Sequence, residues 1–340
     1  MSHEYMSPKR RFLASLLGGR VDRPSVASAT SVVSVELMDA VGVYFPDAHL
    51  DAKKMAKLAS TAVTHLGYDA IMPVYSVQHE AAALGCAVDW GRKDLMPDVK
   101  GRLCKEPEDI RIPKDFLDRP AAAVVLEALA LLRKDYGRDV AIVGKVFGPW
   151  TLAYHLFGVQ DFLILTIDDP EKVRRILATL KEVTVLFALA QIQAGADALT
   201  LGDHATGDLC SPLAYRDFLM AIHKELVARI PCPLILHICG DTADRMRYIA
   251  ETRVDCFHFD TRVAPAKARG LAQRDLSLMG GVNNPQTLLK GTPDDVRREV
   301  LAALDAGIDI LGPECAVPLT TPKRNLAAIA QAVRDHSRRP

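Results

Sequence analysis

A single (β/α)8 barrel is the fold class that the 340-residue sequence predicts, on three observations. Short apolar runs alternate with amphipathic helical patterns from end to end, the mark of βαβ units and a parallel sheet. Eight such runs occur, the number that closes a barrel. No G-x-G-x-x-G turn follows the first run, although an open doubly wound sheet with a dinucleotide site would need one. A chain of this length, 49% hydrophobic, can bury one large core, so residues 1–340 are read as one domain.

In chain order, the first strand is PSVASAT (24–30). The helical pattern DAKKMAKLASTAVTHLG leads to the second, YDAIMPVY (68–75). Residues 90–137 are polar and proline-punctuated, and are read as an insertion crossing the barrel mouth. The third strand is DVAIVGKVFG (139–148). PEKVRRILATLKEVTVLFALAQIQAG is the helix before the fourth, ADALTLGD (196–203). PLILHICG (233–240), VDCFHFD (254–260) and LSLMGGVN (276–283) are the fifth to seventh. TPDDVRREVLAALDAG then reads as a helix with Thr292 as N-cap, Pro293 at its first position and Gly307 at its C-cap. IDILGPEC (308–315) is the eighth strand.

Composition narrows the function classes. Forty-two basic residues balance forty-two acidic ones, so the broad positive field of a nucleic-acid binder is missing. The longest apolar runs are broken by Gln, Gly and Asp well short of a membrane-spanning length. Seven cysteines, an odd number, and a charged N-terminus without an apolar signal core point to a reducing cytoplasm with thiols free for metal or catalysis.

Chemistry in a barrel sits at the C-terminal ends of the strands. The fifth strand ends in His237-Ile238-Cys239, and period-two alternation puts both ligand-type side chains on one face. The sixth places Cys256, His258 and Asp260 on one face, with Asp260 at the mouth, and the eighth ends in Glu314 and Cys315. His237, Cys239, Asp260 and Cys315 make a mixed N/S/O set suited to tetrahedral Zn²⁺, and soft thiolates argue against Mg²⁺ or Ca²⁺. These ligands converge only if the barrel closes, so the zinc is read as catalytic, with Asp260 as an exchangeable fourth ligand. Asp203 and His204, after the fourth strand, stand at the same end and are read as polar site residues. Asn283, after the seventh, is placed to bond substrate or cofactor, although Asn-Pro is also a turn initiator. Cys86, Cys104, Cys210, Cys232 and Cys256 lack convergent partners, and Trp150, Tyr154 and Phe157 recur at the spacing of simple helix packing.

Nearly the whole chain resembles the uroporphyrinogen decarboxylase superfamily, and within it the zinc-dependent methylcobamide:coenzyme M methyltransferases. The resemblance rests on RFLASLLGGRVDRP, GPWTLAYHLFG (148–158), the AGAD…GD…SPLAYRDF block (194–218), LHICGDT and GGVNNPQTLLKGTPDDV. It implies a zinc at His237, Cys239 and Cys315 and a corrinoid co-substrate, and Glu80 matches an acidic position of the family and is read as catalytic; by their places at the strand ends Asp203 is read as catalytic, and His204 and Asn283 as meeting the corrinoid. The partners implied are a methylated corrinoid protein and a small thiol or methylated substrate. The decarboxylases resemble one another in an arginine-rich segment after the first strand, which holds the carboxylates of a tetrapyrrole. Residues 27–51 here, ASATSVVSVELMDAVGVYFPDAHLD, contain no arginine. A second departure is Glu314, where the coenzyme M branch carries glycine before its last cysteine.

Overall fold

All eight runs become parallel strands of one sheet. A computed structural model describes residues 5–272 and 276–338 and places the strands as β1 (Ser25–Val26), β2 (Ala70–Ile71), β3 (Ala141–Phe147), β4 (Ala198–Gly202), β5 (Leu234–His237), β6 (Cys256–Phe259), β7 (Ser277–Val282) and β8 (Ile310–Pro313). Their order is β1-β8-β7-β6-β5-β4-β3-β2, each hydrogen-bonded to the next. Strands β1 and β2, two residues each, stand at the seam of a nearly closed (β/α)8 barrel. Every residue of the eight strands is buried, as expected where helices cover the outside and side chains fill the inside.

The seam is stitched by one carboxylate. Asp69, one residue before β2, accepts from the Val26 amide at 2.9 Å while its own amide donates to the Val26 carbonyl at 2.7 Å. Arg11 and Arg23 each reach the same carboxylate at 2.8 Å. The device recurs. Asp197 accepts from Ile142, Asp255 from Leu234 and Asp309 from Leu278, at 2.8–3.0 Å. Each even-numbered strand is thus preceded by an aspartate that satisfies an otherwise open amide near the start of the odd-numbered strand before it.

Between β2 and β3 the structure redraws the expected insertion. A two-stranded hairpin, Ala87–Asp89 with Asp98–Lys100, and two short 3₁₀ turns form the excursion. The last part of the 90–137 segment, Pro120–Tyr136, is instead a 17-residue barrel helix. Its run PAAAVVLEALALLRKDY buries Val124, Val125, Ala128, Leu129 and Leu132 on one face, spacing that the polar start of the segment masked.

The helix Pro293–Asp305 begins as its sequence requires. Thr292 and Asp295 form a reciprocal capping box, and the chain leaves beyond Ala306 through Gly307 at φ 80°. Pro170–Gln193 is long and apolar enough to cross a membrane, but its buried face packs on the barrel: the Gln191 amide bridges the Lys145 backbone of β3. Residues 51–67 do not form one helix. They divide into Ala52–Ala59 and Thr61–Thr64, where the Ser60 and Thr61 hydroxyls turn back onto the Lys57 and Leu58 carbonyls.

Where β2 diverges from β3, a side chain replaces the missing strand. The Phe147 amide donates to Glu80 Oε1 at 2.9 Å, and Glu80 Oε2 is buried without a partner. Burial pushes the Glu80 carboxyl up to about 7. A carboxyl with a raised pKa adds stability that is full below its unfolded value near 4.5 and lost as pH rises towards 7. Glu80→Gln should therefore match the wild type at pH 4.5 and melt at a higher temperature at pH 8, by an amount equivalent to about 3 kcal/mol at most. Thermal melts across that range check it, and a constant difference between the two proteins would refute it.

Candidate metal centre at the barrel mouth

Three of the expected ligands meet. His237 closes β5, Cys239 stands two residues beyond it, and Cys315 stands two beyond the end of β8. His237 Nε2 lies 3.0 Å from Cys239 Sγ and 3.5 Å from Cys315 Sγ, and the two sulfurs are 3.1 Å apart. Among the described residues this is the one set of three or more His, Cys, Asp and Glu side chains whose donor atoms converge in this way. Ligands of a tetrahedral zinc, with bonds of about 2.3 Å to sulfur and 2.0–2.1 Å to nitrogen, stand about 3.5–3.8 Å from one another. The observed triangle is slightly tighter, and its donor chemistry fits Zn²⁺.

Each corner is held by a neighbour. His237 Nδ1 donates to the His258 carbonyl at 3.2 Å, which leaves the Nε2 lone pair facing the sulfurs. His258 in turn donates from Nε2 to the Pro313 carbonyl at 2.8 Å, and burial, with His237 beside it, pulls its pKa down to about 3. The Cys239 thiol donating to Cys315 holds the Cys315 pKa well below the usual thiol value, and His237 adds to the pull. Cys239 is pushed up correspondingly, so Cys315 is the first of the pair to ionise.

Asp260, expected as a fourth ligand, is not brought into the triangle. Its carboxylate accepts from the Gly240 amide and the Arg262 amide, both at 2.9 Å. It thereby fixes the turn directly after Cys239, where Gly240 adopts φ 81° and a Cβ would come within 2.4 Å of Thr206 Oγ1. Glu314 plays the matching part for Cys315. Its buried carboxylate accepts from the Asn284 amide at 2.8 Å, from the Thr261 amide and hydroxyl, and from Asn283 Nδ2. Asn284 completes the clamp by donating to the carbonyls of Cys315 and Ala316.

A family model described as uroporphyrinogen decarboxylase (URO-D) matches residues 7–336. The chain belongs to the uroporphyrinogen decarboxylase family. It is 35% identical to the methylated-thiol–coenzyme M methyltransferase of Methanosarcina mazei, with 97% of this chain and 90% of that protein covered. It is 33% identical to a methylcobamide:CoM methyltransferase of Methanosarcina barkeri, over 95% of this chain and 96% of that one. A solved methyltransferase from Methanosarcina mazei superposes with a TM-score of 0.95 at 32% identity, covering 98% and 99% of the two chains. By these relatives the chain is an enzyme of the methyltransferase kind. The segment after β1, which carries no arginine over residues 27–51, buries Ser28, Thr30, Ser31 and Ser34.

The other expected site residues are dispersed. Asp203 is turned into the protein: it accepts from the Thr151 amide at 2.8 Å and pairs with His223 Nε2 at 3.0 Å, while the other ring nitrogen of His223 meets the Tyr215 hydroxyl. It anchors the helix Pro149–Phe157 to the end of β4, and its own amide donates to the His237 carbonyl. His204 is exposed, and its pKa is lowered by desolvation and by His237. Asn283 caps the turn Asn284–Leu289 through Gln286 and holds Glu314 and Thr261. Trp150, Tyr154 and Phe157 are buried, and Trp150 donates to the Tyr154 hydroxyl at 2.6 Å. Cysteines 86, 104, 210 and 256 are buried free thiols, and Cys232 is half-buried.

Two parts of the site escaped the sequence reading. The Glu314–Asn284 clamp is one; GPEC offered the acid but nothing in the spacing told its carboxylate from a ligand. Lys145 is the other, a buried lysine inside β3 whose electrostatic neighbours are Cys315, Glu80 and Cys239. A lysine within an otherwise apolar strand run was the available signal. Glu314→Gln should weaken zinc binding by about 10- to 100-fold, the usual cost of losing a group that orients a ligand, because the amide faces four donors with one acceptor oxygen. Competition with a chelator measures it, and an unchanged affinity would show that the clamp does not position Cys315.

Proposed function

We propose that the protein moves a methyl group from a methylated corrinoid, presented by a corrinoid protein, to the sulfur of a small thiol bound with zinc at His237, Cys239 and Cys315. One observation carries the reading: a nitrogen and two sulfurs converge at the catalytic end of a barrel, with both cysteines partly exposed, the pattern of three lasting ligands beside a position open to substrate. Zinc bound there supplies a thiolate at neutral pH, because coordination deprotonates a thiol whose free pKa is near 8.5. The chain's own groups do the positioning. His258 orients His237, the Asp260–Gly240 bond sets Cys239, and Glu314 with Asn284 sets Cys315. Holding two reactants in line contributes up to roughly 7–11 kcal/mol in favourable cases. Relatives named for methylcobamide and coenzyme M support the donor and the acceptor class.

The test follows the corrinoid spectrum with methylcobalamin and a panel of thiols, in both directions. Consumption of methyl-cobalt with formation of an equal amount of thioether is expected. A zinc-loaded protein that binds corrinoid or thiol without turnover would leave it a carrier instead. The relative named for a methylated thiol favours a second reading, in which a thioether donates its methyl to Co(I) corrinoid. Faster turnover in that direction would select it.

A further inference from the structure

Lys145 is buried inside the barrel on β3, 3% exposed. Its register carries it towards the metal centre. Phe147, two residues on and on the same face, pairs with Gly202 of β4, and Gly202 pairs with His237 of β5. Nζ lies 4.9 Å from the Phe147 ring centroid, so the ammonium reaches up to the layer of strand ends that holds His237. Two strand spacings, roughly 10 Å, separate the β3 and β5 backbones there, and both side chains turn inwards. Among the described residues no hydrogen bond or ion pair engages Nζ. The titratable groups facing it are Cys239 and Cys315 across the barrel, Glu80 and His79 from the helix His79–Leu84, His258 on β6 and His204 after β4. Burial keeps His79 and His258 neutral, at about 4 and about 3, and pushes the Glu80 carboxyl up to about 7. Buried charges in folded proteins are paired, and the sulfurs are the remaining place for this cation's counter-charge. Zn²⁺ with two thiolates and an imidazole is neutral as a set, and a further thiolate brings one negative charge.

We propose that Lys145 is the counter-cation of the metal centre: its charge offsets the negative charge that an incoming thiolate adds, and so favours binding of any thiol as thiolate, whatever substituent that thiol carries. The inference rests on the thiol site described above, and it deepens that reading by assigning the residue that balances the site's charge. The lysine keeps its own proton and acts through its field, while the proton of the thiol leaves to solvent. A unit charge roughly 8 Å away, at an effective dielectric of about 20, displaces a titration by about one to two pH units.

Calorimetric binding to the zinc-loaded protein without corrinoid, from about pH 6 to 9, tests this independently of methyl transfer. The probes are 2-mercaptoethanol, which is neutral, and 2-mercaptoethanesulfonate, which is anionic, with proton release read from buffers of different ionisation heat. Lys145→Met and Lys145→Gln, checked for zinc content and melting temperature, should bind both probes about 10-fold or more weakly near pH 7. The factor should be the same for the two probes within about threefold, and the thiol proton should be released at a pH about one unit higher. Lys145→Arg, which keeps the charge, should return the pH profile towards that of the wild type. An unshifted profile in the neutral variants would overturn the proposal, and so would a loss that follows zinc content or one confined to the anionic probe. A wild type that holds zinc and binds neither thiol would overturn it together with the thiol site. A Lys145-dependent profile in a protein that transfers no methyl group would uphold it while removing the corrinoid reading.

Discussion

Alanine in place of Cys239 should strip the metal from the protein and reduce methyl transfer by about 10³ or more, since metal polarisation is worth several kcal/mol of transition-state stabilisation. The same outcome is expected for His237→Ala and Cys315→Ala. Metal analysis of the wild type should return about one zinc per chain, and each variant a small fraction of that. The three positions are equivalent because the triangle has no spare member: the next candidate, Asp260, already accepts from two backbone amides. Asp260→Ala is the informative contrast. It should retain most of the zinc and impair transfer less than loss of either cysteine, because it removes the restraint on the Cys239–Gly240 turn while leaving three donors. Full zinc occupancy in Cys239→Ala or Cys315→Ala would eliminate the centre, and complete loss of zinc from Asp260→Ala would make that carboxylate a ligand.

Asp69→Asn should destabilise the fold by about 3–5 kcal/mol, the cost of removing one partner from a buried ion pair. Asp69 is 1% exposed and takes hydrogen bonds from Arg11, Arg23 and the Val26 amide. An asparagine keeps one acceptor oxygen but turns an NH2 group towards those donors. With an unfolding entropy of about 2.1 cal/mol/K per residue, the change should lower Tm by about 4–7 °C. Zinc content should stay at the wild-type level, because the seam between β1 and β2 is closed at the strand starts and the metal centre lies at the strand ends. A Tm within a degree of the wild type would show that the seam does not depend on this carboxylate.

Strand existence and order were readable from single runs, because burial on both faces of a parallel sheet writes each strand as an apolar block with its own boundaries. β3 appears as AIVGKVF and β7 as SLMGGV, with no partner needed to recognise them. The helix Pro120–Tyr136 was hidden for the converse reason: its polar, proline-punctuated approach reads as loop, and an apolar face spaced at 3.6 residues is legible only once the segment's start is known. The repeated aspartate before each even-numbered strand was in plain view as YDAI, ADAL, VDCF and IDIL. Its meaning was not, because the amide it satisfies belongs to the preceding strand.

By itself the sequence determined which atoms can bind a metal and at which end of which strands they stand. A strand's alternation is local, so His237 and Cys239 had to share a face, and the end of the eighth run had to carry Cys315 to the same rim if the barrel closed. Only the tertiary structure decided which carboxylates converge with those atoms and which are engaged elsewhere. Asp203, Asp260 and Glu314 all stand at strand ends, yet Asp203 is spent on Thr151 and His223, Asp260 on Gly240 and Arg262, and Glu314 on Thr261 and Asn284. A carboxylate takes whichever donors are nearest, and those lie 20 to 67 residues away in the chain for Glu80, Asp203 and the Asp260–Gly240 pair.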